Sequence, residues 1–277
     1  MKVYTSVDME GVACVTDFSH VVRQDGGSEY EMARKWLTAE VNAAIEGALE
    51  AGAEQVVVAD AHWRMFNLLP DELHEDAILI RGAPRPLDMM QGVDGTFDAA
   101  FLVGYHSMAG TAQGVLAHTW NRDVYTARLN GVSVGEAGFC AAVAGHFGVP
   151  IALVCGDDAL GAEIEALMPW TERVTTKWAI STFCARNLTP TASRKCIREG
   201  AKRALARLAE MRPLTFEKPI RLEIEFSRWA VNAYVAADIP GVERMGGRTV
   251  AYTGADMLEV NRMMRAILNI SRGESFY

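Results

Sequence analysis

The sequence predicts an α/β fold: a three-layer αβα domain with a mostly parallel central sheet over residues 1–170, then a smaller α+β domain over 171–277 whose last helix is placed to pack back on the first. Three observations predict it. Strand-like and helix-period segments alternate through the first half, and its strand-like runs are nearly continuously apolar, as in a parallel sheet covered on both faces. Beyond Pro169 the texture changes to short strand-like pieces mixed with two helices. A chain of 277 residues, 50% hydrophobic and 22% charged, is long and apolar enough to bury a full core.

The first strand is Lys2 to Val7, a β-branched and aromatic run that ends in the turn Asp8-Met9-Glu10-Gly11. After a loop holding His20 and Asp25-Gly26-Gly27, Ser28 with Glu31 reads as a capping box. Ala33, Leu37, Val41, Ile45 and Leu49 then mark one buried face of a helix closed by Gly52. Gln55 to Ala59 is a buried parallel strand delivering Asp60-Ala61-His62, and a further strand is expected over Ala77 to Arg81. Phe97 to Val103 delivers Gly104-Tyr105-His106. Tyr125 to Leu129 is a strand closed by an Asn130-Gly131 turn, and a small-residue helix follows from about Val134 to His146 with Glu136 in its first turn. Ile151 to Val154 is another buried strand, followed by Asp157 and Asp158, which suit capping positions on a helix through Leu167. The second half should hold strands at Arg173 to Thr176, Ile220 to Phe226 and Thr249 to Tyr252, with helices at Ala192 to Met211 and Ala255 to Ile270.

Charge and cysteine content narrow the function. A net charge of -8 with no basic run argues against a nucleic-acid partner. No apolar run is long enough to span a bilayer and no N-terminal signal pattern is present, so no membrane partner and a cytoplasmic location are expected. Cys14, Cys140, Cys155, Cys184 and Cys196 are odd in number and without CxxC spacing, as expected of free thiols in a reducing compartment.

Open parallel sheets carry their sites beyond the carboxyl ends of the strands, and Asp8, Glu10, Asp60, His62 and His106 all fall there. Asp8 and Glu10 repel each other when held so close, which makes a cation the natural third party. Each residue also has a purely structural reading. Asp8 suits the cap of a turn, a histidine at a strand end is commonly a hydrogen-bonded structural residue, and Glu136 gains roughly 0.3 to 1 kcal/mol from the helix dipole without any metal. Recurrence at three strand ends weighs against taking them singly.

The strings Ser6-Val7-Asp8-Met9-Glu10-Gly11, Asp60-Ala61-His62 with Asn67-Leu68, Gly104-Tyr105-His106, Gly114-Val115-Leu116-Ala117-His118, Asn130-Gly131 with Val134-Gly135-Glu136, and Gly156-Asp157-Asp158 stand in an order and spacing that resembles the M55 family of binuclear zinc peptidases, the DppA-type D-aminopeptidases. The resemblance spans nearly the whole chain. It implies two zinc ions per chain held by Asp8, Glu10, His62, His106 and Glu136, with Asp8 bridging. One ion would take Asp8, Glu10 and His106, and the other Asp8, His62 and Glu136. It implies that His118 is catalytic and not a ligand, and that the assembly is a ring-shaped homo-oligomer. Trp63 and Trp120 flank ligand positions where the founding member of the family has smaller residues, which bears on substrate size.

Chemistry agrees with the implied set. Three carboxylates and two neutral imidazoles around two divalent cations leave a net positive centre suited to a metal-bound hydroxide and a developing oxyanion. The expected function is a zinc-dependent aminopeptidase that hydrolyses short peptides with a free N-terminus, D-residues by family preference, with His118 as general acid/base. The alternatives are a metal-dependent hydrolase of a non-peptide amide or ester on the same scaffold, and a non-catalytic peptide-binding protein. His20 is undecided between structure and site, while His74 and His146 read as structural or solvated.

Overall fold

The computed structural model describes residues 1–23, 27–227 and 230–272 and contains two sheets. The first is built on β1 (Lys2–Val7), β2 (Gln55–Asp60), β3 (Ala77–Ile80), β4 (Ala99–Tyr105), β7 (Ile151–Asp157), β8 (Glu172–Ser181) and β9 (Cys184–Asn187), in the order β3-β2-β1-β4-β7-β8-β9. All neighbours are parallel except β8 and β9, which form an antiparallel hairpin. The second sheet is antiparallel, in the order β11-β12-β10-β5-β6, from β5 (Val124–Leu129), β6 (Val132–Ser133), β10 (Ile220–Phe226), β11 (Glu243–Arg244) and β12 (Thr249–Gly254). The chain is thus mixed α/β with a mostly parallel central sheet, as its apolar runs predict.

Among the described residues, six helices cover these sheets: α1 (Ser28–Glu50), α2 (Glu136–His146), α3 (Asp158–Leu167), α4 (Pro190–Ala206), α5 (Ala230–Ala236) and α6 (Met257–Arg272). On one face of the parallel sheet Val3, Val7 and Phe101 pack with Leu37, Val41 and Ile45 of α1 and Ile197 and Ala201 of α4. On the other, Tyr4, Leu102 and Tyr105 share a core with Phe139 of α2, Leu222 and Ile224 of β10, and Val260 and Met264 of α6. Sheet membership crosses residue 170 in both directions: β5 and β6 join the second sheet, whereas β8 and β9 extend the first. Strand partners are chosen by tertiary packing, which local periodicity does not encode.

Several boundaries move for identifiable reasons. The capping box expected at Ser28 and Glu31 does not form: Gly27, with φ of 47°, is the N-cap, and Ser28 is the first helical residue. The Asp25-Gly26 part of the turn before it lies outside the described residues. A capping box forms instead at Asp17 and His20, around the short 3-10 turn Phe18–His20. α4 starts earlier than its periodicity suggests, capped by Thr189 with Pro190 at its first position, and its expected last turn tightens into the 3-10 segment Leu208–Glu210. Asn130 and Gly131 both have positive φ, 48° and 81°, as the tight β5–β6 hairpin requires. Among the described residues, no helix is long and apolar enough to cross a membrane.

The order β3-β2-β1-β4-β7 carries the functional consequence. Connections run outward from β1 on one side and from β4 on the other, so the crevice at the carboxyl ends of this adjacent pair is the topological switch point. Asp8 follows β1 and His106 follows β4.

Candidate metal centre

The loops after β1 and β4 interlock. Asp8 N–H donates to the Val103 carbonyl at 2.9 Å and Gly11 N–H to the Gly104 carbonyl at 2.8 Å. A Cβ at Gly11 would collide with the Tyr105 carbonyl, and one at Gly104, where φ is +75°, with the Asp8 carbonyl. The glycines of the two motifs therefore let the turns that carry Asp8, Glu10 and His106 lie backbone against backbone.

Two further groups hold the turn that carries Glu10. Lys177, fully buried on β8, donates from Nζ to the carbonyls of Glu10, Val12 (3.0 Å) and Val15 (2.5 Å). Thr176 Oγ1 donates to the Gly11 carbonyl at 2.7 Å. Around His62, Asp60 accepts from Asn67 N (2.5 Å), Asn67 Nδ2 (2.8 Å) and Leu68 N (2.8 Å), while Asn67 Nδ2 also donates to the His62 carbonyl at 2.8 Å. Asp60 thus shapes the loop that presents His62. Asp157 caps α3 through Leu160 N at 3.0 Å and ties down Val115 N at 2.9 Å, and Asp158 accepts from Ala179 N at 2.9 Å. These two aspartates have the structural roles their sequence positions suggest.

All six residues singled out in the sequence converge. His62 Nδ1 lies 3.1 Å from both Asp8 Oδ1 and Glu10 Oε2. His106 Nε2 lies 3.5 Å from Asp8 Oδ2 and 3.3 Å from Glu136 Oε1. His118 Nε2 is 3.9 Å from Glu10 Oε1 and from Glu136 Oε1, and its ring stacks on His106 at 4.2 Å with an interplanar angle of 6°. The donor atoms of Asp8, Glu10 and His106 all lie within 4.8 Å of one another, as do those of His106, His118 and Glu136. The first group is one of the two ligand sets implied by the resemblance. For the other set, Asp8 touches His62, whereas Glu136 sits beside His106 and His118.

Backbone carbonyls decide which ring nitrogen each histidine offers. His62 Nε2–H donates to the Val21 carbonyl at 2.8 Å, His106 Nδ1–H to that of Ser107 at 3.0 Å, and His118 Nδ1–H to that of Leu116 at 2.8 Å. In each neutral ring the other nitrogen is then a lone pair, aimed at carboxylate oxygens that are also lone pairs. Asp8 Oδ2, Glu10 Oε2 and His106 Nε2 are buried without a hydrogen-bond partner. Buried acceptors facing acceptors are costly unless a cation lies between them, and ring N–H groups anchored on carbonyls are the usual support of metal-binding histidines. The nitrogen and oxygen donor set suits a divalent metal such as zinc.

Titration directions express the same imbalance. Burial pushes the Asp8 carboxyl up to about 7, and the adjacent Glu10 carboxylate adds to the rise. Burial also opposes ionisation of Glu10 and Glu136, but the histidines outweigh it and lower both: His62 first for Glu10, His106 for Glu136. Burial disfavours the charged rings of His62 and His106, yet Glu10 and Glu136 respectively raise them well above the usual imidazole value. His118 is lowered by burial and by its neighbour His106. The carboxylates demand positive charge, which divalent cations would supply without protonating the rings.

Strain concentrates nearby. Cys14, Trp63, Met65, Asp88, Leu116 and Trp120 adopt positive φ although none is glycine. At Trp120 this turns the backbone N–H onto Glu136 Oε1 at 2.6 Å. The centre opens into a cavity of about 410 Å³ walled by Trp63, Met65, Met89, Trp120 and Leu268; His118 lines it, whereas His106 does not. His20 lies outside this lining, with Nδ1 accepting from Thr16 N and Asp17 N at 3.2 Å.

Lys177 and Glu40 are functional supports that the motif reading missed; the signal was a lone charge inside an otherwise buried run. Glu40 Oε1 accepts from Ala13 N (3.1 Å) and Ser193 Oγ (2.7 Å), fastening the loop beyond Glu10 to α1 and α4. Burial pushes its carboxyl up to about 7, although the Ser193 and Ala13 hydrogen bonds pull it down. With the folded value raised above the ordinary 4.5, the stability this group contributes is fully present below that pH and lost as pH rises through 7. Glu40→Gln should therefore gain on the parent protein by about 3 kcal/mol between acidic and mildly alkaline pH. Urea unfolding at both ends of the range measures the gap, and a gap independent of pH would contradict this account.

The profile of the family described as peptidase M55, D-aminopeptidase, matches residues 1–266. The chain is similar to a D-aminopeptidase of Bacillus subtilis (strain 168), at 36% identity over 278 residues and 100% of both sequences. It is also similar to a solved structure, the Zn-dependent D-aminopeptidase DppA from Bacillus subtilis, described as a self-compartmentalizing protease. That match has 35% identity, a TM-score of 0.96 and 100% coverage of both chains.

Proposed function

Since the chain belongs to the peptidase M55 family of D-aminopeptidases, we propose that it is a zinc-dependent aminopeptidase acting on short peptides with a free amino terminus, D-residues preferred. Two zinc ions per chain would be held by Asp8, Glu10, His62, His106 and Glu136. The observation that carries this reading is that buried imidazoles with their N–H groups committed to backbone carbonyls turn lone pairs onto buried carboxylates.

When bound, zinc supplies Lewis acidity, polarising a carbonyl and making water more acidic. Everything else falls to the chain. Three carboxylates balance the cations to a net charge of about +1, which favours the electron-rich transition state of amide hydrolysis. His118, its Nδ1–H anchored on Leu116, keeps Nε2 free to take the proton of the attacking water and return it to the leaving nitrogen. The walls formed by Trp63 and Trp120 hold the substrate and exclude bulk water.

Copies of the chain assemble into a closed ring. The self-compartmentalizing character of the Bacillus relative supports this, as do Ile180 and Phe183, exposed on the β8–β9 hairpin at 63% and 54%. The test of the enzymatic reading pairs elemental analysis with an amine-release assay on D- and L-alanyl peptides. Two metals per chain and faster release from the D-peptides are expected. No release from either series with the metal in place would sink the reading.

A further inference from the structure

Beyond the metal centre the cavity is basic. Apart from four of the candidate ligands (Asp8, Glu10, His62 and Glu136) and His118, the charged residues lining it are Arg85, Arg122, Arg265 and Asp88, a local excess of positive charge in a chain of net charge -8. Among the described residues, none of these arginines is in an ion pair, although many other arginines of the chain are paired with glutamates. Arg85 is only 5% exposed; Nε and Nη2 donate to the carbonyls of Gly82 and Ile80, and Nη1 has no partner. Arg265 donates from Nη1 to the Pro86 carbonyl at 3.1 Å, on the segment that carries Arg85, and among the described residues this is its side chain's one hydrogen bond. Arg122 lies across the face of Phe18 at 4.7 Å, and Phe18 meets the His118 ring edge-on at 6.2 Å. Its guanidinium is therefore one aromatic ring beyond the candidate acid/base, and makes no hydrogen bond among the described residues.

We propose that Arg122 and Arg265 form a carboxylate-binding rim that holds the free C-terminus of a short peptide while its amino end lies at the metal centre. Arg85, buried in the same lining, keeps the wall positive. Guanidinium groups with uncommitted donors match a carboxylate in charge and geometry, and anchoring each by a carbonyl or an aromatic face lowers the entropy lost on binding. A cavity of about 410 Å³ accommodates a peptide of two or three residues. The rim thus selects by length: in a longer chain the carboxylate lies beyond the arginines, and in an amidated peptide it is absent.

This inference rests on the aminopeptidase reading, so its test includes binding as well as turnover. The probe is D-alanyl-D-alanine with a reduced, non-cleavable peptide bond, prepared as the free acid and as the C-terminal amide. Binding to the metal-loaded protein is followed by the fluorescence of Trp63 and Trp120, which line the cavity. The acid should bind roughly 10- to 100-fold tighter than the amide, as expected for hydrogen bonds to a charged group. In the double variant Arg122→Gln, Arg265→Gln that ratio should fall to about twofold or less. Equal affinities in the parent protein, which needs no variant to fold, or an undiminished ratio in the double variant, would overturn the rim. Acid-over-amide binding without hydrolysis of any free-amine peptide would sink the aminopeptidase reading and leave the rim standing; hydrolysis without discrimination would do the reverse.

Discussion

Asp8→Ala is expected to lose both metals and at least ~10³-fold in kcat/KM, equivalent to about 4 kcal/mol of transition-state stabilisation. Asp8 faces His62 through Oδ1 and His106 through Oδ2, so one side chain reaches both histidines. No other carboxylate in the cluster approaches both of these rings so closely. The change should not unfold the metal-free protein. Burial and the Glu10 carboxylate already push Asp8 up to about 7, so its removal relieves repulsion in the metal-free state while leaving a small void. Elemental analysis, activity and thermal melts of the metal-free variant together measure this. Two metals retained per chain would refute the shared role. A collapse in stability without metal would refute the claim that the cluster is strained when it lacks cations.

His118→Ala should behave in the opposite way: both metals stay, KM changes little, and kcat falls ~10²- to 10⁴-fold, the range for loss of a positioned general acid/base. His118 lines the cavity and stands 3.9 Å from the nearest carboxylates, farther than either His62 or His106. Its ring also stacks on His106 at 4.2 Å. Because His106, His118 and Glu136 also bring donor atoms within 4.8 Å, the metal content of this variant decides between two roles. A full complement with lost turnover supports proton transfer. Loss of one metal would reassign His118 as a ligand, and unchanged turnover would remove it from the mechanism.

Much of the centre was legible in the chain because its candidate ligands stand where apolar strands stop. An apolar run followed by a polar turn is a local pattern, and three such patterns deliver Asp8 with Glu10, His62 and His106. Glu136 was harder to read, since a helix first turn attracts acids for its own electrostatic reasons. In the tertiary structure its carboxylate accepts from Trp120 N–H and faces His106. Asp157 shows the converse, an acid equally available for metal whose oxygens are consumed by Leu160, Val115 and Ser107. Ser28 carried a capping signal, but the backbone of Gly27 already occupied the cap position.

The sequence by itself determined the order of the main strands and helices, their apolar faces and the inventory of donors at the strand ends, because these follow from hydrophobic period and turn chemistry over a few residues. It did not show the short strands Val132–Ser133, Cys184–Asn187 and Glu243–Arg244 or the helix Ala230–Ala236. Only the tertiary structure decided that β4 lies beside β1, so that Asp8 and His106 meet at the switch point, and that β5 leaves the first sheet while β8 joins it. It also decided which nitrogen each histidine presents, through the carbonyls of Val21, Ser107 and Leu116, and seated Lys177 under the Glu10 turn from far along the chain. The physical reason is that strand pairing, burial and hydrogen-bond satisfaction are settled by the whole fold at once, whereas period and turn propensity are settled by neighbours in sequence.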